Sequence, residues 1–160
     1  MTVSRTRVVP TPDDMTAFAA GLATRLNAGD VLLLSGPIGA GKTHFARALI
    51  QKRLADLGVA EDVPSPTFTP VQTYDAGGVE IWHADLYRLT HPDEALELGL
   101  QDAFDTAICL VEWPDRLGAD TPGGALHLTF SSDPDTEARL VEMTTDAPRW
   151  ADLISEFCDD

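Results

Sequence analysis

The sequence predicts a three-layer α/β fold with a mixed central sheet, and three observations predict it. Two short apolar runs, at residues 31–34 and 107–111, are continuous rather than alternating, the mark of strands covered on both faces. Segments of helical periodicity stand before, between and after them. Two further strand-like runs are separated by only four residues and read as an antiparallel hairpin, which makes the sheet mixed rather than purely parallel. Helices alternating with buried strands pack on both faces of a sheet, hence three layers. The length of 160 residues suits one domain over residues 1–160.

Residues 12–27 read as an amphipathic helix. Thr11 can cap it, Pro12 suits its first turn, and Asp13 and Asp14 favour its positive end. Met15, Phe18, Ala19, Leu22, Ala23 and Leu26 form its apolar face, and Gly29 follows as a stop. Residues 31–34 are the first buried strand, and a glycine-rich segment follows. Residues 42–57 read as a second helix with Phe45, Ala46, Leu49, Ile50 and Leu54 inward and Gly58 at its end. Residues 59–66 are loop. Residues 67–74 and 79–84 are the hairpin strands, joined across 75–78. A short helix is expected over 92–99, opened by Thr90, His91 and Pro92. Residues 107–111 are the second buried strand, 125–130 and 139–145 a late hairpin, and 147–157 a closing helix. No internal repeat, low-complexity tract or interior linker is present in the sequence.

Acidic side chains number 26 against 11 basic ones, a formal net charge of −15. That field repels phosphate backbones, so direct, stand-alone binding to DNA or RNA is not expected. Any nucleic acid would have to be met through a basic partner. The two lysines are Lys42 and Lys52. The two cysteines, Cys109 and Cys158, form no C-x-x-C pair and no zinc spacing. Cys109 reads as a buried thiol and Cys158 as a partly exposed one. Reduced thiols suit a cytoplasmic location. No run of 18 apolar residues exists, so no membrane span is expected. The first residues are charged and lack an apolar core, so no signal peptide is expected there.

Residues 36–43, Gly-Pro-Ile-Gly-Ala-Gly-Lys-Thr, fit G-x-x-x-x-G-K-[ST] without deviation, between a buried strand and a helix. This is a P-loop, and the expected fold is therefore P-loop NTPase-like. Glycines let the backbone curl so that successive N–H groups of Gly36, Ile38, Gly39, Ala40, Gly41, Lys42, Thr43 and His44 can cradle phosphates. The following helix adds its positive end. Lys42 should reach the β- and γ-phosphates, and the Thr43 hydroxyl should ligate Mg²⁺. The ligand expected is a purine nucleoside triphosphate. The lack of an N-K-x-D guanine-reading motif favours ATP.

Mg²⁺ also needs a carboxylate at the end of a neighbouring strand. Asp85 ends the strand at 79–84, and Glu112 ends the strand at 107–111. Glu112 follows the purer apolar run, so the pattern favours it for the metal. That leaves Asp85 as a water-positioning group or an outer partner of the metal, with solvated or helix-capping carboxylates as the plain alternative. Residues 65–68, Ser-Pro-Thr-Phe, form a rigid turn entering a strand, either a γ-phosphate-sensing switch or a plain turn. His83 shares a strand face with Asp85. His44, His83 and His91 fit no zinc pattern and read as structural or hydrogen-bonding groups.

Four segments together, GPIGAGKT (36–43), SPTF (65–68), HADLYR (83–88) and LVEWP (110–114), resemble the TsaE family. These are small ATPases of the bacterial pathway that makes N6-threonylcarbamoyladenosine in tRNA. The likeness runs from about residue 10 to 145. HADLYR and VEWP, in this order, are far more specific than the P-loop. The resemblance implies that Lys42 and Thr43 serve phosphates and Mg²⁺, that Glu112 is the acid on the Mg²⁺ side, and that Asp85 supports ATP hydrolysis. It implies that Trp113 lies near the nucleotide and that the SPTF loop is the switch. It puts Arg139 near the nucleotide, with a surface salt bridge as the alternative, and lets Thr11 approach the base. His44 departs from the family, which commonly has a small hydroxyl residue there.

The resemblance also implies two partners, TsaD- and TsaB-like proteins. The transfer complex modifies adenosine 37 of tRNAs that read codons starting with A, and the small ATPase would meet tRNA only through it. Hydrolysis should be slow, because no arginine finger is evident in the chain. A small-molecule kinase is one alternative, although such enzymes need an arginine-rich lid that this sequence lacks. A nucleotide-binding regulator that does not hydrolyse is the other.

Overall fold

The two apolar runs become the adjacent central strands of a seven-stranded sheet. We describe them in a computed structural model that covers residues 2–37, 39–58, 70–89 and 91–157. The strands are Val3–Val9 (β1), Val31–Ser35 (β2), Val71–Asp75 (β3), Glu80–Asp85 (β4), Ile108–Glu112 (β5), Leu126–Ser132 (β6) and Arg139–Thr145 (β7). Their order across the sheet is β1-β7-β6-β2-β5-β4-β3. The block β6-β2-β5-β4 is parallel. β3 adds antiparallel to β4, and β7 and then β1 add antiparallel beyond β6. The sheet is therefore mixed, as the hairpin predicts.

Every side chain of β2 and β5 except Ser35 is buried. Leu32, Leu34, Ile108 and Leu110 face one core, beneath Pro12–Ala23 (α1), Lys42–Ala55 (α2) and Pro148–Phe157 (α5). Val31, Leu33, Cys109 and Val111 face a second core with Leu100, Ala103 and Phe104 of Leu100–Thr106 (α4) and Leu117 of the 3-10 turn Pro114–Asp120. A short helix, Pro92–Glu97 (α3), lies beside that turn. Each buried Leu, Ile or Val contributes about 1.5–3 kcal/mol, so two-sided burial explains why these runs do not alternate. Burial also pushes the Cys109 thiol up to about 12, which makes it an inert core group. Cys158 lies outside the described residues.

The structure corrects the sequence reading at several boundaries. α1 ends at Ala23 rather than near residue 27. Arg53 of α2 donates to Ala23 O and Leu26 O, each at 3.0 Å, while Thr24 Oγ1 donates to Gly21 O and Arg25 N to Leu22 O, so the last carbonyl of this helix is satisfied from a neighbouring helix. α2 ends at Ala55 and α3 at Glu97, each two residues before the expected end. β3 is seen from Val71, and residues 67–69 of the expected strand lie outside the described residues, as do 59–66. β1, α4 and the 3-10 turn were not expected. Among the described residues no helix is long and apolar enough to cross a membrane.

Candidate functional site

The parallel strands end together. Leu34 of β2 and Asp85 of β4 are both register partners of Glu112 on β5. Ligand crevices form outside such carboxyl ends, and the glycine-rich loop lies there. Gly36 has φ +137, and a Cβ at this position would lie 2.3 Å from Phe130 O. Glycine is therefore required for the loop to pass β6. Gly39 and Gly41 also have positive φ, and a Cβ on Gly39 would meet nothing within 4 Å. The loop is thus backed by β6 on one side and open at Gly39 on the other. Gly41 precedes α2 with no side-chain cap and no acidic residue in the first turn. The positive end of α2 is left for an anion. Phe130 lies against the loop at Gly36 and Gly41, and Phe45 packs on Phe130 and Phe18 on Phe45, with centroids 5.5 and 5.6 Å apart. Ile38 lies outside the described residues, and Ala40 is buried in the loop.

Lys42 is only 4% exposed. Its Nζ donates to Gly36 O at 2.6 Å and stands 3.7 Å from the centre of the Trp113 ring. Burial lowers its pKa from 10.5, opposed by the charges of Glu112, Asp85 and Asp115. A desolvated ammonium in the first turn of α2, at the positive end of the helix, is suited to an incoming anion. Trp113 has φ +59, a left-handed conformation that turns the chain out of β5. Its ring also packs on Tyr87, 4.9 Å between centroids.

Thr43 Oγ1 donates to the Glu112 carboxylate, 2.8 Å from Oε1 and 3.1 Å from Oε2. Glu112 is 2% exposed, and its Oε2 lies 2.7 Å from His83 Nε2. Asp85 is half-buried, and its Oδ1 accepts from Tyr87 N at 3.1 Å. Burial raises its pKa from 3.8, opposed first by that backbone hydrogen bond and reinforced by the Glu112 charge.

A hydroxyl beside a carboxylate is a hard oxygen donor pair, the type Mg²⁺ takes. Among the described residues no group of three or more His, Cys, Asp or Glu is placed to hold a metal by itself. Mg²⁺ does not require one, since it is usually held by one or two carboxylates together with substrate phosphates and water. The residues present fit a Mg²⁺-nucleotide better than a free metal ion.

The cleft has two lobes. One, of about 440 Å³, contains Lys42, Thr43, Asp85, Glu112 and Trp113. The other, of about 590 Å³, is lined by Thr11, Met15 and Arg139 among others. Gly39, Gly41 and His44 border both. Arg139 donates to Gly39 O at 3.4 Å, so it reaches across to the loop. Thr11 is engaged as the cap of α1, accepting from Asp14 N and donating to Asp14 Oδ2. His44 Nε2 lies 2.9 Å from Thr16 Oγ1 and 3.2 Å from Pro12 O, which ties α2 to α1.

The structure thus brings Gly36, Gly39, Gly41, Lys42, Thr43, His44, Asp85, Glu112 and Trp113 to one place, with Thr11 and Arg139 in the adjoining lobe. Residues 65–68 lie outside the described residues. The sequence reading missed two neighbours. Tyr87 lines the lobe that holds Lys42, although its place in HADLYR was a signal. His83 was read as a general hydrogen-bonding group, and its partner could be named only once β4 and β5 were adjacent.

The sequence profile described as Threonylcarbamoyl adenosine biosynthesis protein TsaE matches residues 9–141. The tRNA threonylcarbamoyladenosine biosynthesis protein TsaE of Bacillus subtilis is 34% identical over 147 residues, covering 91% of this chain and 89% of that protein. The protein of the same description from Haemophilus influenzae is 32% identical over 160 residues, covering 96% and 98%. A crystal structure of Bacillus subtilis YdiB superposes with a TM-score of 0.78 at 28% identity, covering 98% of this chain and 95% of that one.

Proposed function

The chain belongs to the TsaE family of tRNA threonylcarbamoyladenosine biosynthesis proteins, and from that premise we propose that it binds ATP with Mg²⁺ and hydrolyses it slowly in support of the threonylcarbamoyl transfer complex. The observation that carries this reading is the contact of Thr43 Oγ1 with Glu112 at 2.8 Å, directly beside the buried Lys42 ammonium. It joins the two halves of a nucleotide site, loop and strand-end acid, across 69 residues of sequence.

Lys42 and the backbone N–H groups at the start of α2 bind the phosphates. Thr43 and Glu112 would hold Mg²⁺, which when bound neutralises phosphate charge. Asp85 faces the same lobe with a pKa raised by burial and orients water. The Trp113 ring walls the lobe beside Lys42 and excludes solvent. The second lobe, with Thr11 and Arg139, has the room and position for the base and sugar.

Lys42 and Arg139 are the only Lys or Arg residues among the described ones lining the two lobes. A kinase that clamps a transferred phosphate usually brings more arginines from a lid, so hydrolysis is favoured over transfer to a small acceptor. The net charge of −15 favours docking on protein partners, TsaD- and TsaB-like, over direct contact with tRNA.

The test is ATP hydrolysis by the isolated chain and with TsaD- and TsaB-like proteins added, alongside co-precipitation in ATP, ADP and no nucleotide. Slow turnover that the partners raise, with nucleotide-dependent association, is expected. Rapid hydrolysis indifferent to the partners, or transfer of phosphate to a small acceptor, contradicts the reading.

A further inference from the structure

We propose that His83 is a positioning residue for Glu112: its Nε2–H fixes the carboxylate in the orientation that meets Thr43 and Mg²⁺. The inference rests on the reading of Glu112 as the acid on the Mg²⁺ side. Its own support is geometric. His83 is 0% exposed and Glu112 is 2% exposed. The 2.7 Å between His83 Nε2 and Glu112 Oε2 is a short hydrogen bond, in the range of charge-assisted ones.

The tautomer follows from the surroundings of the other ring nitrogen. Among the described residues, His83 Nδ1 is buried without a hydrogen-bond partner. A proton on Nδ1 would meet no acceptor among them, and it would turn the Nε2 lone pair towards a carboxylate oxygen. The proton on Nε2 gives the short contact its donor and leaves one acceptor, rather than a donor, unmatched. His83 is thus a donor through Nε2, aimed at one oxygen of the acid.

The consequence for the site is steric as well as electrostatic. Oε2 accepts from His83, and Oε1 is the oxygen closer to Thr43. With both oxygens engaged, rotation of the carboxylate costs a buried hydrogen bond. Register explains why this histidine can do it. His83 and Asp85 lie two residues apart on β4, so they share a face, and Asp85 is the rung partner of Glu112. His83 therefore reaches Glu112 from one residue pair deeper in the sheet, where water does not compete. Hydrogen-bonding partners of metal-binding carboxylates typically matter at the level of about 10–100-fold in metal affinity.

The test compares the full chain with His83→Leu, which removes the donor, and His83→Gln, whose side-chain amide restores one near the same depth. Three quantities are measured: the Mg²⁺ concentration that half-maximally promotes ADP binding, ADP affinity without metal, and thermal stability. For His83→Leu the required Mg²⁺ should rise about 10-fold or more, with metal-free ADP affinity within about twofold. His83→Gln should recover most of the loss. Long-range ¹H–¹⁵N spectra of the unmodified protein should show Nε2 protonated and Nδ1 not.

Unchanged Mg²⁺ dependence in His83→Leu overturns the role of His83 and leaves the proposed function standing. So does an Nδ1–H tautomer. Equal loss in both variants that follows thermal stability shows a packing role only, and also overturns the proposal. ADP binding by the unmodified protein that ignores Mg²⁺ overturns the reading of Glu112, and this inference with it.

Discussion

Asp85 and Glu112 stand on the same rung of two adjacent parallel strands, β4 and β5, yet they are held in different ways. Glu112 is enclosed and accepts from Thr43, with His83 against its other oxygen. Asp85 is half-buried and accepts from the backbone of Tyr87. One acid is fixed by side chains, whereas the other faces the cleft with its charged form disfavoured by burial. This difference supports separate roles, Glu112 on the metal side and Asp85 beside water.

Asp85→Asn is expected to raise stability while lowering turnover. The pKa of Asp85 is raised in the folded state from 3.8, so the native protein holds its proton to higher pH than the unfolded chain does. The favourable contribution is complete below pH 3.8 and is lost as pH rises through the folded value. The variant should therefore match the parent at low pH and gain on it as pH rises to neutrality. Thermal unfolding followed from acid to neutral pH checks this. ATP hydrolysis should fall about 10²-fold or more with nucleotide affinity nearly kept.

Gly36→Ala should be more damaging than Gly39→Ala. At Gly39 the added methyl meets nothing within 4 Å, and the cost is the left-handed conformation alone, about 1–2 kcal/mol. At Gly36 a backbone carbonyl 2.3 Å away adds a clash to a conformation that is essentially glycine's own. Chemical denaturation of both variants measures the order. Equal costs would show that the loop is not pressed against β6.

Trp113 should report the ligand. Its ring lies 3.7 Å from Lys42 Nζ, and phosphate should draw that ammonium away. Tryptophan emission is expected to change when ATP and Mg²⁺ are added, and the change should vanish in Trp113→Phe although Trp82 and Trp150 remain. An identical change in the variant would place the signal elsewhere.

What could be read in the sequence was local. The glycine-rich motif at 36–43 is eight consecutive residues, and the strands β2 and β5 announce themselves because both faces are buried. The hairpin of β3 and β4 was legible from its short turn, where Gly78 N donates to Asp75 Oδ1. What escaped depends on distant partners. β1 reads Val-Ser-Arg-Thr-Arg-Val-Val, mostly exposed and without an apolar period, and it exists by pairing with β7, from Val9 on Arg139 to Val3 on Thr145. α4 has seven residues, too few to show a helical period. The last carbonyl of α1 is met by Arg53, from another helix. The bond between His83 and Glu112 required the register of β4 on β5. Periodicity gave the face of His83 but not its neighbour.

The central claim is that the glycine-rich loop holds the phosphates of Mg²⁺-ATP through Lys42. Calorimetric titration of ATP with Mg²⁺ into the unmodified chain and into Lys42→Ala tests it most directly. The charged hydrogen bonds at stake are worth about 1.5–3 kcal/mol, so one saturable site should weaken about 10–100-fold in the variant. No saturable binding to the unmodified chain, or equal binding to both, would contradict the account.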